Sequence, residues 1–246
     1  MYSKMSEFCK VKNVGLAHKN GLEETPRVKW LVKLLKSNNI EYIIDKWGSE
    51  TNKFYNIILP GTSGKFVTAH HDIVNPKSDN ANDNSASVIN AIMTKINSPS
   101  TTVILLDGEE IGGKGSQRAS EKINSGEYGN CDWVLNFELT GKGGSNFFIG
   151  NYDNDLSNHI KNIFNCPTFQ TPFNDSSVFN RNGIVSTVIN PLPILKESGS
   201  SKLVHNGFSL DSSILWNCHS LRDSIETIDL NDMKEFVEDV VMKILN

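Results

Sequence analysis

The sequence predicts a three-layer α/β/α sandwich around a central mixed, mostly parallel sheet. Three observations lead there. Strand-like apolar runs alternate with amphipathic helical stretches along most of the chain. Lys65–His70, Val103–Leu106 and Trp133–Phe137 are short and apolar enough to be buried strands covered on two faces. Each of the three also runs directly into His, Asp or Glu, and in such sheets ligands bind outside the carboxyl ends of the strands.

The elements follow in order. Residues 22–37 place Val28, Leu31, Val32, Leu34 and Leu35 on one helical face, with Glu23 and Glu24 in the first turn, where the helix dipole favours acids. Glu41–Trp47 and Lys53–Leu59 read as two strands joined at Gly48–Asn52 in a hairpin. Lys65–His70 is a short buried strand, Ala86–Ile96 an amphipathic helix and Val103–Leu106 a strongly apolar strand. A Gly-rich turn and a helix at Ser116–Ile123 come next, then strands at Trp133–Glu138 and Asn146–Ile149 and a helix at Asp155–Phe164. Ile184–Ile189 is a further strand, and Asp232–Leu245 is a closing amphipathic helix.

Composition narrows the class. The 246 residues suffice for one large domain, and nothing resembling a repeat or linker divides them, so residues 1–246 are expected to form one domain. With 38% hydrophobic and 21% charged residues, the chain is too apolar for a disordered protein. A net charge of −4 without a Lys/Arg run argues against nucleic acid or an anionic membrane as partner. No apolar stretch approaches the roughly 20 residues of a membrane span. The first residues, MYSKMSEFCKVKNVG, lack the apolar segment of a secretory signal. Cys9, Cys131, Cys166 and Cys218 lie far apart and read as reduced thiols, so a cytoplasmic protein is expected.

The polar residues at the strand ends carry the chemistry. A His at a strand end, as at His70, is more often a structural residue than a ligand. Asp72, two residues on, points back to the same side and could orient the His70 imidazole, whereas His71 points the other way. The run Asn80-Ala81-Asn82-Asp83-Asn84-Ser85 before a helix suits an N-cap loop, yet a carboxylate there can also bridge two cations. Glu109 and Glu110 are the strongest local signal. Adjacent carboxylates behind so apolar a strand repel strongly, and a metal relieves this if one Glu ligates it and the other acts as general base. Glu138 ends another apolar strand, where an unpaired carboxylate is costly. His219 opens a last segment, again with an acid nearby in Asp223. Two His and three carboxylates suit two divalent ions of the zinc type.

In this order the segments TAHHD, NANDNSAS, LLDGEEIGGKGS, LNFELTG and CHSLRDSIETID resemble the co-catalytic di-zinc aminopeptidases of the bacterial leucyl aminopeptidase type, over residues 53–246. The resemblance implies the zinc exopeptidase fold, with His70 and Glu138 on one zinc, Glu110 and His219 on the other, and Asp83 bridging them. It implies Glu109 as general base and Asp72 as the orienter of His70. It also implies two zinc ions, for which cobalt or manganese can substitute. The segment FNDSSVFNRNGI resembles the family's stretch near the pocket for the first substrate side chain, but Ser176 follows Asp175 where the family usually has His. Ser87 likewise stands where Gly is usual. Residues 190–217 are read as a loop shaping the substrate entrance, with His205 an exposed residue in it.

The expected function is a metal-dependent aminopeptidase acting on short peptides with a free N-terminus, in one catalytic domain without a separate lid. The acidic site favours a substrate that presents an ammonium group. A single-zinc glutaminyl cyclase, or an amidohydrolase or carboxypeptidase of the same fold, is the alternative. A catalytically silent binding domain would be expected to have lost a ligand or the base, and none is lost here.

Overall fold

The computed structural model describes residues 1–12, 25–194, 202–205 and 208–246. Among them an eight-stranded sheet runs in the order β1-β2-β4-β3-β5-β8-β6-β7. The strands are β1 (Ile43–Ser49), β2 (Asn52–Leu59), β3 (Lys65–His70), β4 (Thr102–Leu106), β5 (Trp133–Phe137), β6 (Phe147–Gly150), β7 (Thr168–Phe169) and β8 (Ser186–Pro191). The central strands β4, β3, β5 and β8 are mutually parallel, while β1, β2 and β6 pair antiparallel. In β3–β4 His70 lies opposite Leu106, so the two strands end level at one edge.

Strand alternation divides the core into two layers. Val67, Ala69, Val103, Leu105, Leu135 and Phe137 face one layer, packed against α1 (Met5–Cys9), α2 (Pro26–Ser37), α3 (Ala86–Asn97) and α5 (Asp155–Ile163). The C-terminal helix closes that layer: α7 (Leu230–Glu235) runs on through a wider turn at Phe236–Val241 into α8 (Met242–Leu245). Phe66, Ile104, Leu106 and Val134 face the other way, toward α4 (Lys114–Asn124) and α6 (Asp175–Arg181). The sandwich is therefore covered on both faces, as the apolar strands required.

Several boundaries move for local reasons. Thr25 caps α2 by accepting from Val28 N at 3.3 Å, and Pro26 fills the first helical position, so α2 begins at Pro26. Glu23 and Glu24 lie outside the described residues. The β1–β2 turn is tighter than Gly48–Asn52: Ser49 already pairs with Asn52. Several elements were not expected, α1 and β7 among them. Helix α6 occupies part of the stretch read only as a motif, and β8 extends to Pro191, so Asn190 is a strand residue and not the start of a loop. Within that expected loop, β9 (Lys202–His205) and β10 (Phe208–Asp211) form an antiparallel hairpin; the His205 side chain lies outside what is described. The four cysteines are free thiols.

Candidate metal centre

Six of the expected residues converge where the central strands end. His70 closes β3, 2% exposed, and Glu138 follows the last residue of β5. Beyond β4 the chain turns at Gly108, whose φ of 76° suits a residue without Cβ, and presents Glu109 and Glu110. Asp83 sits in the irregular turn Ala81–Ser85 ahead of α3. His219 follows a 3-10 turn, Ser213–Asn217. His219 itself and Leu139, next to Glu138, have left-handed backbone (φ 60° and 56°), as does Asn80 at the start of the turn that carries Asp83 (φ 46°), strain of the kind that clusters at functional sites.

Asp83 stands between the two imidazoles. Its Oδ1 lies 3.3 Å from His70 Nε2 and its Oδ2 lies 3.2 Å from His219 Nε2. On one side Glu138 Oε2 is 3.6 Å from His70 Nε2; on the other Glu110 Oε2 is 3.1 Å from His219 Nε2. Two donor sets result, His70–Asp83–Glu138 and Asp83–Glu110–His219, each with its ligand atoms within 4.8 Å of one another. Glu109 joins a third, with His70 and Glu110. Imidazole nitrogen with carboxylate oxygen is the chemistry that zinc-type dications take. Glu110 Oε1, buried with no hydrogen-bond partner among the described residues, is a donor with spare capacity in that cluster.

A second ring of residues holds these groups in place. Asp72 Oδ1 lies 3.4 Å from His70 Nδ1, the orienting position expected of it. Its carboxylate also accepts the backbone N–H groups of Glu109 (3.2 Å) and Glu110 (3.1 Å). Asp223 does the same for the opposite turn, accepting from Asn82 N and Asp83 N. Asn84 straddles Glu138: its Nδ2 donates to Phe137 O and its Oδ1 accepts from Leu139 N. Asn136 Nδ2 donates to Glu138 Oε1, leaving Oε2 toward His70. Sequence reasoning missed Asn84, Asn136 and the clamping by Asp223. The usable signals were that Asn136 and Glu138 share a strand face and that NANDNSAS is crowded with short amides.

The charges show how the site is poised without a cation. Burial pushes Glu109 up to about 10, with Asp175 and Glu138 adding to it. Burial, then Asp83, lifts Glu110 to about 7. The hydrogen bond with Asp83 raises His219 to about 9. For His70, burial favours the neutral ring, but Glu138, Asp72 and Asp83 outweigh it and hold the imidazolium well above its ordinary range. Burial likewise opposes charge on Asp83, yet His219 and His70 keep its carboxyl low. Two carboxyls, Glu109 and Glu110, that hold their protons beside two imidazoliums fit a crowded cluster that a cation would relieve.

A cavity of about 450 Å³ opens beside the cluster, walled by Leu139, Phe148, Phe173, Val188, Asn190 and Leu215. From the 190–217 region Asn190 and Leu215 line it, with Cys218 just beyond. Asp175 is fully buried at the start of α6, and burial lifts it to about 7 against the opposing pull of Ser116 beside it. Ser176 is turned inward to Ser186, and Ser87 bonds Thr140 Oγ1 at 3.0 Å, so neither lines the cavity. His71 bonds toward Tyr55 O, away from the cluster, as expected.

The sequence matches the model of peptidase family M28 over residues 59–243. Comparison with the curated proteins finds no match. Among solved structures the fold is similar to that of the LapA aminopeptidase of Legionella pneumophila, with a TM-score of 0.70 and 13% identity over 99% of this chain and 68% of that one. It is similar to a Zn-dependent exopeptidase from Parabacteroides distasonis, with a TM-score of 0.67 and 16% identity, covering 100% of this chain and 96% of the other. A glutaminyl cyclase from Bacteroides thetaiotaomicron scores 0.66 at 17% identity, covering 99% and 97%. At these identities the likeness concerns the fold.

Proposed function

The chain belongs to peptidase family M28, and on that premise we propose that it is a zinc-dependent aminopeptidase removing N-terminal residues from short peptides. One observation carries the proposal: the two oxygens of Asp83 face two different imidazoles at 3.3 and 3.2 Å. That arrangement supports two ions sharing Asp83, one held by His70 and Glu138 and the other by Glu110 and His219. Cobalt or manganese would serve in place of zinc, the ligands being the same nitrogen and oxygen donors. Two fold relatives named as an aminopeptidase and a Zn-dependent exopeptidase support the reading.

Such ions, when bound, supply Lewis acidity that polarises the scissile carbonyl and acidifies the attacking water. The protein's own groups do the rest. Glu109 takes the water's proton and then delivers it to the leaving amine. Nearby positive charge draws its pKa down from the raised value that burial imposes. Asp72 positions two partners at once, the His70 ring and the Glu109–Glu110 backbone. Carboxylate oxygens at the rim accept hydrogen bonds from the substrate's free α-ammonium. No Lys or Arg lines the cavity among the described residues, so nothing there pairs with a C-terminal carboxylate. Arg222, the one candidate near the motifs, is exposed and stands outside it. Residues 1–246 act as one catalytic domain in this proposal, without a separate lid.

The similarity in fold and length to a glutaminyl cyclase favours a second reading, lactam formation from an N-terminal Gln with one zinc. One experiment separates the readings: aminoacyl-arylamides and their N-acetyl forms are assayed with and without zinc, and Gln-peptides are checked for lactam. Zinc-dependent release from free substrates, falling at least about a hundredfold on N-acetylation, supports the aminopeptidase. Equal turnover of N-blocked substrates, or lactam as the product, overturns it.

A further inference from the structure

Apart from the acids of the metal cluster, the cavity wall contains one amide side chain whose bonding capacity is unspent. Asn190 is 5% exposed and lines the cavity, and its Oδ1 is buried without a partner. Its amide Nδ2 has no bond to a described residue either. An orphaned buried amide costs roughly 1–3 kcal/mol, so such groups persist where something outside the fold completes them. The strand explains its direction. Ile189 faces the core, so Val188 and Asn190 on either side of it turn to the cavity, and Phe148 lies opposite Asn190 in the antiparallel β6–β8 pair. Glu138 N donates to Ile189 O at 3.2 Å, which puts Asn190 one residue from the strand contact made by a residue of the metal cluster. The other amide in the wall is spent: Asn174 Nδ2 donates to Thr171 Oγ1 and Pro172 O, and its Oδ1 accepts from Tyr152.

We propose that Asn190 is a specificity-determining residue: the cavity takes the first side chain of the substrate and prefers one that is apolar along its stem and ends in a carboxamide. The inference rests on the aminopeptidase reading of the same site. A primary amide offers an acceptor and donors side by side, and only another carboxamide answers both ends at once with two N–H···O bonds. A hydroxyl answers one end. An anionic tip would enter an apolar wall of Phe148, Val188 and Leu215 with no Lys or Arg among the described lining residues to pair with it. A purely aliphatic tip leaves the Asn190 amide unpaired, the arrangement by which enzymes reject substrates lacking a polar group.

The test compares Gln-arylamide with its near-isostere Met-arylamide, using zinc-loaded wild type, Asn190→Leu and Asn190→Asp. Calorimetric titration of the same proteins with free L-glutamine and L-methionine accompanies it. Wild type should favour Gln over Met at least about tenfold in kcat/KM and bind glutamine more tightly. Asn190→Leu should reduce the Gln:Met ratio at least about tenfold, and Asn190→Asp should move preference toward a Lys side chain. A ratio that neither variant moves, or glutamine binding no tighter than methionine in wild type, overturns the assignment. Continued cleavage of Met-arylamide in that case leaves the aminopeptidase reading standing. If no arylamide is cleaved at all, that reading fails and the titrations alone decide the pocket.

Discussion

Asp223 Oδ2 accepts the backbone N–H of Asp83 at 3.0 Å, across 140 positions of sequence, while Oδ1 holds Asn82 N at 2.7 Å. The carboxylate shared between the two donor sets is thus fixed through its own backbone by a second acid from the far end of the chain. Asp72 holds Glu109 and Glu110 in the same manner. The two turns that carry three of the acids are each clamped by one buried Asp.

Replacing Asp223 by Ala leaves two buried N–H groups without their acceptor. Zinc affinity should fall by about 10–100-fold, as when other supports of metal ligands are removed, with stability lower by roughly 1–3 kcal/mol. Asp223→Asn, which keeps an acceptor, should lose less of each. Zinc competition against a chromophoric chelator, together with thermal melting, measures both. Wild-type zinc affinity in Asp223→Ala would show that the clamp does not position Asp83.

Glu109 joins a candidate donor set, yet it is proposed to move a proton and not to hold an ion. Glu109→Gln should lower kcat by at least about two orders of magnitude while zinc content stays near wild type. Loss of zinc along with activity would make Glu109 a ligand; full activity would remove it from the chemistry.

Asp83 and His219 should behave differently when removed. Asp83→Ala should lower zinc at two positions together, since a shared carboxylate offsets the repulsion of cations about 3.5–4 Å apart. His219→Ala should empty the one position it shares with Glu110. Zinc per protein chain after dialysis distinguishes them, and equal partial losses would count against the division.

The metal-free protein should become less stable as pH rises. His219 is lifted to about 9 from an ordinary 6.5, chiefly by its bond to Asp83, and Glu110 to about 7 from 4.5, chiefly by burial. Folding therefore favours their protonated forms. That contribution is complete below the ordinary values and is lost as pH passes through about 7 for Glu110 and about 9 for His219. Zinc displaces the same protons, so its affinity should rise over the same range. Melting curves of metal-free wild type and His219→Gln from about pH 6 to 9 test this, the variant showing the smaller decline. A metal-free wild type that gains stability toward high pH would contradict it.

Most of the sheet and the cluster could be read from sequence because the same feature marks both. An apolar strand is buried on two faces, so a His or Glu at its end stands out, as at His70, Glu110 and Glu138. Residues that work through backbone bonds were not legible. Asn84, Asn136 and Asp223 look like ordinary turn, strand and loop residues until folding brings Phe137, Glu138 and Asp83 to them. Asn190 was hidden because the strand was expected to end at Ile189, and a polar residue followed by Pro191 reads as a turn. Helix α6 spans seven residues, too few for a helical period to emerge from NDSSVFNR.

Anomalous diffraction at the zinc edge from crystals of the zinc-loaded protein tests the central claim most directly. The account predicts two peaks, one against His70 and Glu138 and the other against Glu110 and His219, with one oxygen of Asp83 turned to each. A single peak, or two peaks with Asp83 on only one of them, would contradict it.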